Sequence, residues 1–305
     1  MASLKDIKLK IHSYKKTGTV THAMEAVSAV KMRKAQERAL GGRSYAAAAL
    51  TILKRLAGTA DAGRHVLMHE QSGKTCFIII TSDKGLAGSL NSSVIRRVEE
   101  DIRARGLSKN EVLMIAVGRR GGDYFASRGF DVREKYENIA DGVSEEDIRK
   151  ITDTVLELHR AGELGTCVVA YQNFLSTFEQ EAAVRQILPI TEPMVEHMVK
   201  HIRPVKGKYA PREGEDDKGP AVYTIEPDAD EVLAVLLPRL LNVAVFHAML
   251  EAKASEHSAR MVAMKNATDK AKEMAQGLTR TFNKVRQAAI TREVSEITSG
   301  IEAMR

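Results

Sequence analysis

The run Arg239–Arg305, RLLNVAVFHAMLEAKASEHSARMVAMKNATDKAKEMAQGLTRTFNKVRQAAITREVSEITSGIEAMR, decides the fold. It contains no proline, and its only glycines are Gly277 and Gly300. As one helix it would be roughly 100 Å long at about 1.5 Å per residue, far beyond an ordinary globular helix. A single helix buries too little to be stiff at that length, so the run predicts a partner. Met261, Met264, Thr268, Ala271, Ala275, Leu278, Phe282, Val285 and Ala289 recur at gaps of three and four. That is the heptad seam of a left-handed coiled coil. Beyond Ala289 the stripe steps round: Ile290, Val294, Ile297, Ile301 and Met304 keep the rhythm on a rotated face. A change of partner near Ala289 follows.

The partner helix lies at the other end of the chain. Leu4 to about Leu56 reads as a second long helix, with Ser3 and Asp6 as a capping box. Leu4, Ile7, Ile11 and Tyr14 open a seam, Gly18 interrupts it, and Met24, Val27 and Val30 continue a narrower stripe. Ala46, Leu50, Leu53 and Ala57 resume it, and Gly58 is a natural stop. This helix is basic: Lys5, Lys8, Lys10, Lys15, Lys16, Lys31, Arg33, Lys34 and Arg38 face only Asp6, Glu25 and Glu37.

Between the helices the texture changes. Thr75–Ile80, Val112–Val117 and Thr166–Tyr171 are apolar, β-branched runs that read as strands buried on both faces, with Ala182–Leu188 as a fourth. Helical stretches near Leu90–Arg105, after Gly118 and near Ser144–Ala161 alternate with them, which implies parallel pairing. All seven prolines lie from Pro189 to Pro238. The charged, Gly- and Pro-rich stretch Lys206–Gly219 reads as a mobile surface loop within 203–220, Tyr223–Pro227 as an edge strand, and Asp228 with Glu231 as a helix start that Pro238 would kink. The expected fold is α/β plus a long antiparallel coiled coil: helix 1–57, a Rossmann-like α/β domain over 58–226, and helix 227–305 paired back on the first. The C-terminal helix should overshoot its partner by roughly 15–20 residues, some 25 Å.

Composition narrows the function. The chain is 44% hydrophobic and 5% aromatic, has no tryptophan, and carries a net charge of +6. A basic balance favours an anionic partner: nucleic acid, a membrane surface or an acidic protein. Cys76 and Cys167 sit in strand-like runs and read as buried thiols of a reducing compartment. No apolar run approaches a membrane span and the N-terminus lacks a signal-peptide core, so a soluble cytosolic chain is expected. No catalytic constellation, cofactor-binding motif or metal site can be argued. Ser72-Gly73-Lys74-Thr75 lacks a glycine at Met68 and precedes a strand, unlike a phosphate loop. Gly118–Gly122 has the wrong spacing for a dinucleotide fingerprint, and Gly85 and Gly88 suit tight turns. His65 with His69, and His197 with His201, have helical i,i+4 spacing but no third ligand, so solvated histidines are the better reading. A stiff rod without chemistry of its own is what remains. A basic coiled-coil nucleic-acid-binding protein and a small-molecule enzyme on the α/β domain are the rivals.

Several stretches carry a family resemblance. Ile11-His12-Ser13, Thr21–Val27 and Lys31–Gln36 resemble the N-terminal helix of the F-type ATP synthase gamma subunit, the F1 central stalk. So do Thr81-Ser82-Asp83-Lys84-Gly85-Leu86-Ala87-Gly88-Ser89-Leu90-Asn91, Glu256–Thr268 and Asn283–Ile297, in the family's order. The resemblance implies a rotor shaft for ATP synthesis and hydrogen-ion transport. Its coiled coil would stand inside the alpha3beta3 ring, and its foot on the epsilon subunit and the c-ring of Fo. Ion-driven rotation would be coupled to the beta-subunit sites, and the shaft would take part in regulating ATPase activity. It implies no catalysis and no cofactor on this chain, no nucleic acid, and indirect membrane association at the cytoplasmic side of a bacterial inner membrane. By residue, it implies beta contacts at Met24, Arg286, Gln287, Thr291, Glu293 and Glu296, and foot positions near the c-ring at Tyr223 and Glu226. His22 departs from the family's usual lysine, and Ala87 and Ser89 from its Cys and Gly. The paired cysteines of the chloroplast form are absent, so no thiol switch is implied.

Overall fold

A computed structural model of the chain describes residues 4–41, 65–191, 194 and 228–304. The elements are α1 (Leu4–Gly41), β1 (Lys74–Ile80), α2 (Leu90–Ala104), β2 (Val112–Val117), α3 (Arg119–Ser127), β3 (Asp131–Tyr136), α4 (Glu145–Arg160), β4 (Leu164–Phe174), β5 (Gln180–Leu188) and α5 (Ala229–Ala303). Two compact units emerge: Met1–Ala29 with Arg260–Arg305, and Val30–Ala259. Helices α1 and α5 each contribute to both.

The Val30–Ala259 unit is built on a five-stranded sheet of order β3-β2-β1-β4-β5. Strands β1 to β4 run parallel, and β5 returns antiparallel to β4. Each central strand is apolar on both faces because both faces are covered. Ile78, Ile80, Ile115, Val117, Val169 and Tyr171 share one core with α4 and with Leu233, Leu237, Leu240, Leu241, Val245 and Met249 of α5. Phe77, Ile79, Met114, Val168 and Ala170 share the other with Val94, Val98 and Phe125 of α2 and α3. Burying each such side chain contributes roughly 1.5–3 kcal/mol, so sheet and helices hold together as three layers.

Helix starts follow local chemistry. Ser144 and Asp147 form a reciprocal capping box at α4, and Asp228 Oδ1 accepts from Glu231 N at 2.8 Å before α5. Helix α5 runs unbroken through Pro238. The buried leucines on either side, Leu236, Leu237, Leu240 and Leu241, offset the missing N–H there. An 18-residue window of α5 reaches a mean hydropathy of 1.8, so by length and composition this helix could cross a membrane, contrary to expectation; half of that window is buried within the protein.

Strand β3 is absent from the sequence reading. Its sequence, DVREKY, is polar and lies on a sheet edge, and its strand character comes from parallel pairing with β2 (Leu113 with Asp131, Val117 with Tyr136). The last third or so of the expected N-terminal helix, from residue 42 on, the Ser3 cap, the edge strand Tyr223–Pro227, the loop 203–220 and the pair His197–His201 lie outside the described residues.

In the other unit α1 and α5 pair antiparallel. Thr21 Oγ1 and Thr268 Oγ1 are 2.7 Å apart in a buried hydrogen bond. A Cβ at Gly18 would meet the Cβ of Ala271 at an ordinary 3.6 Å. Both pairs keep one register, which sets Leu4 opposite Val285. On α5 the seam is the expected one: Met264, Thr268, Ala271 and Ala275 are buried, and Met261, Leu278 and Phe282 half-buried. On α1 the opening of the seam is as expected, with Ile7 buried and Leu4, Ile11, Tyr14 and Met24 half-buried. Val27, read as a seam residue, is instead 55% exposed, while Gly18, Thr21 and Ser28 are buried. Val30, where α1 enters the Val30–Ala259 unit, is likewise 55% exposed, and Met32 and Ala35 beyond it are buried. Small and hydroxylated side chains let the helices approach closely, and the larger valines are left facing outward.

Candidate functional site

With Leu4 opposite Val285, α5 extends past the described part of α1 by some 18 residues, about 27 Å at the helical rise. From Arg286 to Met304 every side chain except that of the half-buried Ala289 is exposed. Ile290, Val294, Ile297 and Ile301 are more than half exposed, and Met304 is 90% exposed. At 100° per residue these five form one stripe. Arg286, Glu293 and Glu296 flank it on one edge, Gln287 and Thr291 on the other. Among the described residues no other element covers this line of large apolar groups, and such a patch is characteristic of contact surfaces. Thr291 Oγ1 donates back to Gln287 O at 3.0 Å, as a helical threonine does when nothing else engages it.

Five of the eight expected site residues therefore fall on one short segment of α5. Met24 is half-buried on α1, and Tyr223 and Glu226 lie outside the described residues. The nine basic residues of α1 are all exposed. Lys15 and His22, with Lys272 and Arg280 of α5, line an open groove of about 850 Å³ beside Gly18 and Ala275. The groove is cationic and fits an acidic partner.

Residues 3–304 match the family model described as ATP synthase. The chain is 37% identical over 305 residues to the ATP synthase gamma chain of Pelotomaculum thermopropionicum, with all of both chains covered. It is 36% identical over 306 residues to the ATP synthase gamma chain of Desulforamulus reducens, again with full coverage.

The chain belongs to the ATP synthase gamma-chain family.

Gamma chains are subunits of the membrane-associated ATP synthase, and solved structures share this fold. The central stalk of the Tetrahymena thermophila mitochondrial ATP synthase aligns with a TM-score of 0.57 at 23% identity, covering 81% of this chain and 99% of that one. A rotor chain of the Euglena gracilis enzyme aligns at 0.59 and 17% identity, covering 94% and 98%. A chain of the Euglena OSCP/F1/c-ring assembly aligns at 0.64 and 18%, covering 99% and 94%. Family membership favours the rotor reading over the nucleic-acid one.

The Val30–Ala259 unit of this gamma chain has the sheet of a ligand-binding α/β protein but fills the usual crevice itself. Doubly wound sheets take ligands outside the carboxyl ends of their strands. Those ends here, Ile80-Thr81, Val117-Gly118, Tyr136 and Gln172, meet Met249, Ala252, Lys253 and Glu256 of α5, and the cavity left is about 10 Å³. That is room for one water at most. The Ser72–Thr75 stretch leads into β1; Lys74 N donates to Glu163 O at 2.9 Å, and its Nζ pairs with Asp131 at 3.3 Å. His65 and His69 bracket a three-residue 3-10 turn and share no helix face: His65 Nδ1 caps Leu67 N at 3.3 Å and His69 is extended. Cys76 and Cys167 are neighbours across β1 and β4, both buried and free, and burial pushes the Cys167 thiol well up. That makes it inert as a nucleophile at neutral pH.

Two polar clusters in this unit had no sequence signal. Asp141, in the β3–α4 connection, receives Lys31 Nζ of α1 at 2.8 Å and lies 2.9 Å from His257 Nε2 of α5. Burial pushes its carboxyl up, but the hydrogen bonds and charges of Lys31 and His257 win, and it ends below the usual carboxylate range. Its partners are 110 and 116 residues away in sequence, so only the fold could show the cluster.

The second cluster is Glu251 on α5, buried beside Tyr171 and Arg185, with His247 Nδ1 at 3.5 Å from Oε1. Burial raises its pKa from 4.5 to about 7, against the pull of Arg185 and the Tyr171 hydrogen bond. A carboxyl raised in this way supports the fold in its neutral form. That contribution is fully present below pH 4.5 and is lost as pH rises through 7. Glu251→Gln should therefore gain stability relative to wild type by about 2–3 kcal/mol between pH 5 and pH 8. Thermal melting of both proteins across that range checks it; a constant gap would show that Glu251 does not titrate there.

Proposed function

We propose that this chain is the rotating central shaft of an F1Fo ATP synthase. It couples ion-driven rotation of the c-ring to conformational change at the catalytic sites of the beta subunits, and takes part in regulating ATPase activity. The observation that carries the reading is the free end of α5. Among the described residues about the last 27 Å of α5 has no neighbouring element, and its apolar stripe suits cover by another protein. An alpha3beta3 ring offers such a cover, and acidic loops of beta suit the cationic groove and the exposed bases Lys5, Lys8, Lys10, Lys15 and Lys16 of α1.

In this reading Arg286, Gln287, Thr291, Glu293 and Glu296 meet beta near the top of the shaft, with Met24 lower down. The α/β domain is the foot on the epsilon subunit and the c-ring, with Tyr223 and Glu226 on that side. The complex sits peripherally at the cytoplasmic face of a bacterial inner membrane.

Reconstitution with alpha and beta subunits, followed by complex size and ATP hydrolysis, tests the reading. A hexamer-plus-one complex with restored turnover is expected; no association at low or moderate salt would overturn it. Within the assembled synthase, Gln287→Leu should lower ATP-driven pumping about fivefold, the value of one polar contact of about 1 kcal/mol, with the chain still folded. A pumping rate equal to wild type would remove Gln287 from the contact surface.

A further inference from the structure

The Asp141 cluster belongs to a larger arrangement. The connection 138–143 touches both long helices at two places each. On α1, Asp141 holds Lys31 at 2.8 Å, and the Arg38 guanidinium lies against Gly142, where a Cβ would come within 2.5 Å of Nη1. On α5, Asp141 holds His257, and Ile139 O accepts from Lys253 Nζ at 3.0 Å. A carboxylate only accepts, so Nε2 of His257 carries the hydrogen in this contact.

The connection is preset. Asn138 at its start and Val143 at its end hold φ of 59° and 40°. A β-branched residue there is a true outlier, costing of order 1–3 kcal/mol, and persists only when its surroundings dictate it. Val143 is buried, and the Asn138 N–H is anchored on Asp83 Oδ2 at 3.0 Å.

The opposite side of α5 is gripped as well. Ser255 Oγ donates to Gln172 O at 2.9 Å, and Ser258 Oγ to Thr177 O at 2.5 Å, both from the β4–β5 hairpin. Within about a turn and a half of α5, Lys253 to Ser258, four side chains are tied down, two to the connection and two to the β4–β5 hairpin. Both helices then run on, α1 toward Leu4 and α5 toward Ala303.

We infer that residues 138–143 are a clasp that locks α1 and α5 to the α/β sheet and carries torque between foot and shaft, with Asp141 as its positioning residue. The inference rests on the rotor reading. A twisting load on two helices that only slide on apolar surface meets little resistance, because hydrophobic contact is non-directional. Charge-assisted hydrogen bonds of fixed geometry resist it. Asp141 is the one group in the clasp bonded to both helices, so losing it frees each helix from the other's anchor.

The test uses the complete synthase in sealed vesicles, with ATP hydrolysis and ATP-driven ion accumulation measured together. Two variants are compared with wild type: Asp141→Ala, and Lys31→Met, which changes an exposed side chain and leaves the fold intact. Asp141→Ala should keep hydrolysis but lower the ratio of ions accumulated to ATP hydrolysed about fivefold, and Lys31→Met about twofold. The deficit should grow as the opposing ion gradient builds, which a merely structural role would not produce. Wild-type ratios in both variants overturn the clasp. So does a loss of hydrolysis and accumulation in equal proportion with Asp141→Ala while Lys31→Met stays at the wild-type ratio. A wild-type complex that hydrolyses ATP without any accumulation overturns the rotor reading itself, and the clasp with it.

Discussion

Gly118→Ala is expected to be the most destabilising single methyl at any glycine among the described residues. Gly118 follows β2 with φ 91° and ψ 143°, a combination open to glycine and closed to side chains. A Cβ there would stand 2.1 Å from Thr81 O and 3.1 Å from Thr81 Oγ1. Neither atom has room to move. Thr81 N donates to Val117 O at 2.8 Å, and Thr81 Oγ1 accepts from Gly121 N at 2.9 Å, which starts α3. The methyl therefore forces β1 and β2 apart at their carboxyl ends, beside the segment of α5 that closes the crevice. A loss of at least about 3 kcal/mol is expected, read as a fall of roughly 6–12 °C in the thermal midpoint. Gly277→Ala is the control: a Cβ there meets nothing within 4 Å, in a helix that gains about 1 kcal/mol from alanine. A Gly118→Ala protein that melts with wild type would mean that the turn has another accessible conformation.

Removing residues after Ala289 should do the reverse, sparing the fold and abolishing coupling. The deleted side chains are exposed, and among the described residues none of them bonds to another element. Melting of the α/β unit should then stay within about 0.5 kcal/mol of wild type, the range of surface changes. The assembled complex should lose most of its ATP-driven pumping, since the apolar stripe and five proposed beta-contact residues are removed or left at a frayed end. Unfolding of the α/β unit would show that the free end stabilises it; full pumping would show that the stripe is not the working contact.

Much of this was legible in one dimension. The heptad spacing on α5, the step in its stripe at Ala289, the apolar runs of β1, β2 and β4, and the Asp228 start of α5 are local patterns. Each depends on neighbours within a few residues, so periodicity and capping chemistry determine them. The four family stretches named the fold and the family for the same reason, being contiguous strings.

Tertiary structure decided the rest. The α1 seam passes through Gly18, Thr21 and Ser28 and leaves Val27 and Val30 outside, because close helix approach selects small side chains over hydrophobic ones. Strand β3 exists because β2 offers an edge for its backbone to pair with. Glu251 and Asp141 look alike in sequence, yet burial pushes one carboxyl up to about 7 while Lys31 and His257 hold the other down. Spacing determines which face of a helix is apolar; what stands opposite each side chain, and hence its charge and its role, is determined only when distant segments meet.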